Sequence, residues 1–276
     1  FQPMLSVITN IDQDHMVNYG NFDKLKETFL EFIHHMPFYG MAVVCVEDPV
    51  VMELLPKMSR TVLTYGFTEE ADVQAKNVQH HAQKSQFDLS YKHKNESHAF
   101  ELNLPGKHNV LNALATIGVA LELGLSIETI QKALREFQGI ARRFQSYGEI
   151  QTSKGKVLYI DDYGHHPTEI KAVLEAVRAG WPRRRIVLAF QPHRYTRTRD
   201  LFNEFIDVLA SVDCLILCQV YAAGEQVIAG CDGKSLYAAI QEKSKKTGRF
   251  VEKSMDLLEV IPECLTSGDL LITMGA

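Results

Sequence analysis

Short apolar runs alternate with longer amphipathic segments from the first residues of the chain. Residues 6–9 form a β-branched and apolar run, which predicts a strand. After a polar stretch at 10–18, Phe22, Leu25, Phe29, Phe32, Ile33 and Met36 recur three or four residues apart, the spacing of a helix with one buried face. The signals repeat as a strand at 41–46, a short helix at 51–55 and a strand at 61–65. Strands that alternate with helices predict a parallel sheet with covering helices, because parallel neighbours need a crossover between them. The period then changes. Over 72–104 polar and apolar residues alternate, as at Val73, Ala75 and Val78 and again at Phe100, Leu102 and Leu104, which predicts a small antiparallel sheet. Pro105-Gly106 ends it, and helices are predicted over 109–123 and 126–137, the second with Ser126 as N-cap.

A glycine closes that helical pair and a new series of strands follows, so 139–144 is the predicted domain boundary. Beyond it, strands are predicted at 157–160, 185–190, 214–219 and 270–273, and helices at 168–177, 198–209, 235–245 and 255–265. This is the pattern of a doubly wound α/β domain. No internal repeat or low-complexity segment interrupts it.

Composition narrows the functional classes. With 276 residues, 46% of them hydrophobic and 23% charged, the chain falls in the soluble globular range and has material for two medium-sized domains. A formal charge of −5 provides no basic field for nucleic acid or an anionic membrane, so a phosphorylated ligand must be gripped by local groups. Cys45, Cys214, Cys218, Cys231 and Cys264 match neither a disulfide framework nor paired metal knuckles, and read as reduced thiols of a cytoplasmic protein. Cys214 and Cys218, four apart in a strand, share a face and are expected in the core. No apolar run approaches the roughly 20 residues of a membrane-spanning helix, and the first residues lack a signal segment. The chain begins without Met, as an interior cut would.

Ligands of open α/β sheets sit beyond the carboxyl ends of the strands, so polar clusters there are the candidates. The first is Asn10-Ile-Asp-Gln-Asp-His15, whose carboxylates and imidazole suit a hard cation or phosphate, although taken alone a hydrogen-bonded loop or helix cap is the plainer reading. The second, Gly106-Lys-His-Asn-Val-Leu-Asn112, opens a helix and places His108 and Asn112 on one face. A helix start attracts anions and an asparagine can read a purine edge, but asparagine is also a common cap. The third is the richest: Asp161-Asp-Tyr-Gly-His-His-Pro167 follows one strand and Gln191-Pro-His-Arg-Tyr-Thr-Arg-Thr-Arg199 follows another. Two strand ends could present carboxylates, histidines and arginines to one cleft, arginine being suited to two-point binding of carboxylate or phosphate. Gly230-Cys-Asp-Gly-Lys-Ser235 only mimics a phosphate loop, since Ile228 stands where its first glycine belongs, and it reads as a loop with a helix start. The pairs His34-His35 and His80-His81 lack ligand-spaced partners for zinc.

Taken together and in order, Thr9-Asn-Ile-Asp-Gln-Asp-His-Met16, Pro105-Gly-Lys-His-Asn-Val-Leu-Asn-Ala113, Arg142-Arg-Phe144, Asp161 to Glu169 and Phe190 to Asp200 resemble the motifs of the Mur ligases along the whole chain. The Asp-Asp-Tyr-Gly-His-His-Pro form is similar to that of the L-alanine-adding members, whereas relatives that attach a tripeptide usually carry Phe-Ala in place of Tyr-Gly. The resemblance implies an α/β chain in two parts. Residues 1–140 would be a truncated central ATP-binding domain, mainly parallel sheet with a small antiparallel sheet, and 141–276 a Rossmann-like doubly wound C-terminal domain. It implies ATP-dependent joining of L-alanine to UDP-N-acetylmuramate through an acyl phosphate, in peptidoglycan formation and hence cell shape and division.

By the same resemblance, His15 is a ligand of magnesium, and His108, Asn109 and Asn112 hold adenine. Arg143 and Asp161 reach the ATP phosphates and ribose, and His165, His193, Arg194 and Arg197 meet the acceptor amino acid and the reacting carboxylate. Two positions depart from the family pattern: Val17 replaces an acidic residue after Asp-His-Met, and Ala141 replaces a glycine before the arginine pair. The family's phosphate loop, a magnesium-binding glutamate and the UDP-binding domain are expected before Phe1, so the 276 residues alone are not expected to complete the reaction. A tripeptide-adding ligase of the same family and a non-catalytic nucleotide-binding module are the competing readings.

Overall fold

Strands β1 (Leu5–Ile8), β2 (Met41–Cys45), β3 (Thr61–Gly66), β4 (Val73–His81), β5 (Lys84–Tyr91) and β6 (His98–Leu102) lie side by side in chain order, in one sheet. They belong to a computed structural model that describes residues 2–14, 16–92 and 96–276, and that divides into two units, Phe1–Gln138 and Gly139–Ala276. In the first unit β1 to β4 are parallel, and β4 to β6 form an antiparallel meander. The helices are α1 (Met16–Tyr19), α2 (Phe22–His34), α3 (Pro49–Leu54), α4 (Lys107–Glu122) and α5 (Ile127–Glu136).

Burial on both faces explains why β2 reads as an unbroken apolar run. Val43 and Cys45 join the core with Val110, Leu114 and Ile117 of α4, while Ala42 and Val44 pack with Leu25 and Ile33 of α2 and with Val51 and Leu54 of α3. Gly118 of α4 lets that helix approach closely, since a Cβ there would lie 3.1 Å from Leu63. The expected small antiparallel sheet is not a separate layer. The start of β4 pairs with β3 through Tyr65↔Val73 and Gly66↔Gln74, so the meander continues the parallel sheet. The reason is visible in β4 itself, whose first three residues are all buried, whereas its later residues are mostly wet.

The second unit contains β7 (Gln145–Thr152), β8 (Gly155–Asp162), α6 (Pro167–Gly180), β9 (Ile186–Phe190), α7 (Tyr195–Asp200), α8 (Phe202–Leu209), β10 (Cys214–Cys218), α9 (Gly233–Ser244), β11 (Thr247–Val251), α10 (Leu257–Cys264) and β12 (Leu270–Met274). The strand order is β11-β10-β9-β12-β8-β7, parallel except for β7. Helices α6, α8 and α9 cover one face through Ile170, Val173, Phe205, Leu209, Leu236 and Ile240. On the other face Cys214, Ile216 and Cys218 pack with Leu257, Val260 and Ile261 of α10. The returning strand β12 lies between β8 and β9, so these two, consecutive among the parallel strands, are separated in the sheet, and their carboxyl ends flank a crevice of the kind that holds ligands in such folds.

Several elements differ from the periodicity, among them β7, where no strand was predicted. The helix expected over 198–209 is two, α7 and α8, because Leu201 between them leaves helical geometry at φ −118° and ψ 28°. Strand β11 was not predicted at all: Thr-Gly-Arg-Phe-Val lies at a sheet edge and is only partly buried, so it lacks the apolar run of its neighbours. Among the described residues, no helix is long and apolar enough to cross a membrane.

Phe205 is fully buried with its ring 5.8 Å from that of Phe190, and so joins α8 to the middle of the sheet. Replacing it (Phe205→Ala) should cost about 3–5 kcal/mol through lost burial and a residual cavity. The urea midpoint of the second unit's unfolding would measure this.

Candidate functional site

Strand β8 ends in two aspartates whose side chains alternate across the sheet. Asp162 points inward and is only 4% exposed, which obliges its oxygens to find donors. Its Oδ2 accepts the Phe144 N–H and its Oδ1 the Gly164 N–H, both at 2.7 Å. Burial pushes the Asp162 carboxyl above its ordinary value; those two N–H groups and Arg143 pull the other way, and Glu169 adds to the rise. Asp161 accepts the Thr273 hydroxyl at 2.6 Å and Arg142 Nε at 3.2 Å, while Arg142 Nη2 donates to the Gly275 carbonyl at 2.6 Å.

The loop that follows is held as firmly. The Tyr163 N–H donates to the Arg142 carbonyl at 2.6 Å, and the guanidinium carbons of Arg142 and Arg143 lie 5.1 and 5.2 Å from the centre of the Tyr163 ring. Glu169 Oε2 accepts the N–H groups of His165 at 2.8 Å and His166 at 3.1 Å, closing a capping box at the start of α6. Arg143 Nη1 lies 3.3 Å from Glu169 Oε1, so in this arrangement Arg143 engages Glu169 and Tyr163.

Strand β9 sends out the second loop. Its backbone pairs with the loop after β10: Arg194 N–H donates to the Tyr221 carbonyl and Tyr221 N–H to the Pro192 carbonyl, each at 2.8 Å. The rings of His193 and Tyr221 stack at 5.4 Å. His165 lies 5.9 Å from His193 and 5.4 Å from Tyr163, so three strand-end loops bring Tyr163, His165, His193 and Tyr221 into one row. Arg194 is the N-cap of α7 with φ 73°, and its Nη1 is 3.7 Å from Glu225. Arg197 takes a different place. It is 8% exposed and turned under the loop, with Nη1 donating to the His193 carbonyl at 3.1 Å. Desolvation lowers the His193 pKa, Arg197, His165 and Arg194 lower it further, and Glu225 opposes them. A neutral imidazole at pH 7 follows, and such a ring can accept a proton.

The helix-start cluster of the first unit stands on α4. Gly106 takes φ 93° as its N-cap, and Asn109 Nδ2 donates to the Pro105 carbonyl at 2.7 Å, which commits that amide to shaping the turn. His108 is partly buried, and desolvation with a contribution from His80 lowers its pKa to about 4. Asn112, one turn on, is exposed. His80 bonds Ser85 Oγ at 2.9 Å, and Ser85 donates in turn to the Leu104 carbonyl. His15 lies outside the described residues. Among the described residues no group of three or more His, Cys, Asp or Glu side chains could hold a metal ion.

A groove of about 740 Å³ runs between α6 and α8, lined by Lys171, Leu174, Glu175, Arg178, Asp207 and Val208 among others. It contains neither histidine nor arginine of the strand-end cluster. Tyr163 and Glu169 lay within the motifs singled out in the sequence, but Tyr221 and Glu225 did not. A search beyond the third strand end, β10, would have found them.

With this geometry in view, similarity to known proteins becomes informative. The chain matches the Mur ligase middle domain over residues 1–120 and the Mur ligase glutamate ligase domain over residues 142–276. It is similar to the UDP-N-acetylmuramate-alanine ligase of Thermotoga maritima, at 27% identity and a TM-score of 0.77, over 100% of this chain and 57% of that one. MurF of Acinetobacter baumannii, at 23% identity and a TM-score of 0.76 over 100% of this chain and 57% of its own, shares the fold. So does a murein peptide ligase of Psychrobacter arcticus, at 20% and 0.67 over 100% and 55%. The chain therefore spans little more than half the length of these relatives. Fold and cluster define a chain built of a middle and a C-terminal ligase domain. It belongs to the Mur ligase family, whose members are ATP-dependent amide-forming ligases of peptidoglycan synthesis.

The Glu169 carboxylate sits below its ordinary pKa. Burial alone would raise it, but the His165 N–H, the His165 imidazole, the His166 N–H and Arg143 outweigh burial. A depressed folded value favours the folded state above the unfolded glutamate value, about 4.3, and that contribution is lost as pH falls through the folded value. Urea midpoints measured from pH 6 to pH 3 should therefore fall less steeply in Glu169→Gln than in the parent.

Proposed function

We propose that the chain forms the ATP-binding part, residues 1–140, and the C-terminal part, residues 141–276, of a ligase that joins L-alanine to UDP-N-acetylmuramate. The observation that carries this reading is the row of Tyr163, His165 and His193 beside Arg194 at the ends of β8 and β9, set in the Asp-Asp-Tyr-Gly-His-His-Pro sequence form. The 27% identity to a UDP-N-acetylmuramate-alanine ligase supports it.

ATP supplies the phosphoryl group that activates the lactyl carboxylate as an acyl phosphate. The L-alanine nitrogen then bonds to the acyl carbon, the bond from that carbon to the phosphate oxygen breaks, and the amine gives up a proton. Negative charge gathers on oxygens throughout, and Arg194 supplies a planar pair of donors for carboxylate or phosphoryl oxygens. His193 is held neutral beside it and takes the proton, with His165 as its neighbour in the row. Arg197 acts from beneath, through the His193 carbonyl. On α4, neutral His108 and exposed Asn112 form the edge that reads adenine, and Asn109 shapes the turn beside them. Asp161 is assigned to the ribose and Arg143 to the phosphates, which requires Arg143 to leave Glu169. Magnesium is assigned to His15.

The test is ATP-dependent phosphate release by the protein expressed from its complete gene. UDP-N-acetylmuramate is supplied with L-alanine, glycine, L-serine or a tripeptide. A requirement for L-alanine is expected; turnover only with the tripeptide, or none, would overturn the assignment. In the same assay Arg194→Ala should lower turnover by about 10²–10³-fold, the cost of losing one preorganised donor to a developing oxyanion.

A further inference from the structure

Glu225 lies in the loop at 219–232, beyond the third strand end of the cluster. Its Oε2 accepts the Thr196 N–H at 2.9 Å, its Oε1 accepts the Thr196 hydroxyl at 2.7 Å, and the same Oε1 is 3.7 Å from Arg194 Nη1. The Glu225 side chain is 17% exposed and that of Arg194 43%, so the carboxylate is shielded while the guanidinium stays partly in water. Reaching this position requires a tight turn: the Glu225 N–H donates to the Ala222 carbonyl at 2.9 Å, and both Ala223, at φ 50°, and Gly224, at φ 86°, are left-handed. A residue with a Cβ seldom adopts such a backbone, which must be held by its surroundings.

The same loop holds the backbone of Arg194. That residue is itself left-handed, with its N–H on the Tyr221 carbonyl and its carbonyl accepting the Thr198 hydroxyl at 2.9 Å. Arg194 is thus held at its backbone by Tyr221 and faces Glu225 across 3.7 Å at its guanidinium, from one loop. We propose that Glu225 is a positioning residue, which fixes the Arg194 guanidinium over the start of α7 and balances the positive charge that the His193 imidazole faces. The groups acting on His193 are Arg197 and Arg194 of its own segment, His165 from the loop after β8, and Tyr221 and Glu225 from the loop after β10. Among the charged ones Glu225 is the group that favours the protonated ring. It opposes the lowering that Arg197, His165 and Arg194 impose on the ring.

The inference rests on the proposed ligase reading only for the substrate that Arg194 grips. The first test needs no turnover: an NMR titration of His193 in the 276-residue chain, its signal assigned by its loss in His193→Gln. Glu225→Gln should move the His193 midpoint down. Thr196→Val, which removes a hydrogen bond to Glu225 but no charge, should leave it in place, as should Glu225→Asp, which keeps the charge. An unmoved midpoint in folded Glu225→Gln would overturn the proposal. So would an equal shift in Thr196→Val or Glu225→Asp, either of which would make the effect merely structural. If Glu225→Gln does not fold, Glu225→Ala, which also removes the charge, takes its place under the same criterion. The second test is amino-acid-dependent turnover by the protein from its complete gene. There Glu225→Gln should raise the amino-acid KM about tenfold and change kcat less, the loss expected when a charge-assisted contact is misaligned. A titration shift without turnover would contradict the ligase reading and leave the positioning role intact.

Discussion

The second unit's site depends on one buried carboxylate. Asp162 ends β8 where the strand leaves the sheet, and its two oxygens bind one N–H from the segment before β7 and one from the loop after β8. A side chain with one acceptor oxygen cannot do both, and an unmet buried N–H costs about 1–3 kcal/mol. The carboxylate is therefore a joint between two chain segments 18 residues apart, Phe144 and Asp162. Gly164 fits the joint because a Cβ there would come within 2.6 Å of Met274 and 2.8 Å of the Asp162 carboxylate.

From this joint the rest follows by short contacts. Gly164 sets the direction of the loop, Glu169 caps α6 and gathers the N–H groups of His165 and His166, and His165 then meets His193 from the neighbouring strand end. The sheet topology makes that meeting possible, since β12 spaces β8 and β9 apart while leaving both loops at the same edge. Left-handed backbone occurs at Arg142, Phe144, Arg194 and Ala223, all in segments that build the cluster. Strain of this kind concentrates where a site over-determines its backbone.

Doubly buried strands were the most legible part of the chain. Val43–Cys45 and Ile186–Phe190 have no wet face, so apolar runs bounded by polar residues marked them. Edge strand β11, half wet and containing glycine and arginine, gave no such mark. The break at Leu201 was hidden because Leu201, Phe205 and Leu209 keep helical spacing across it and all three are buried. At the site, the first two strand-end loops announced themselves by clustered charge. The third did not, since Tyr221 acts through its backbone and ring and Glu225 is a single carboxylate whose partners, Thr196 and Arg194, lie far off in sequence. Arg197 was read as facing the crevice, but a charged residue type alone does not say which side of a short helix is buried. Its side chain lies beneath the loop instead.

The most direct test of the Asp162 joint is the NOE pattern between the His165 and His193 rings in Asp162→Asn, recorded with the amide spectrum of the second unit. An asparagine can accept from one of the two N–H groups but presents its own NH₂ to the other. The account predicts that the His165–His193 NOEs weaken or vanish while strands β9, β10 and β12 keep their amide shifts. Unchanged NOEs in a folded Asp162→Asn protein would contradict it, and would mean that Glu169 and the capping box place the loop without the buried carboxylate.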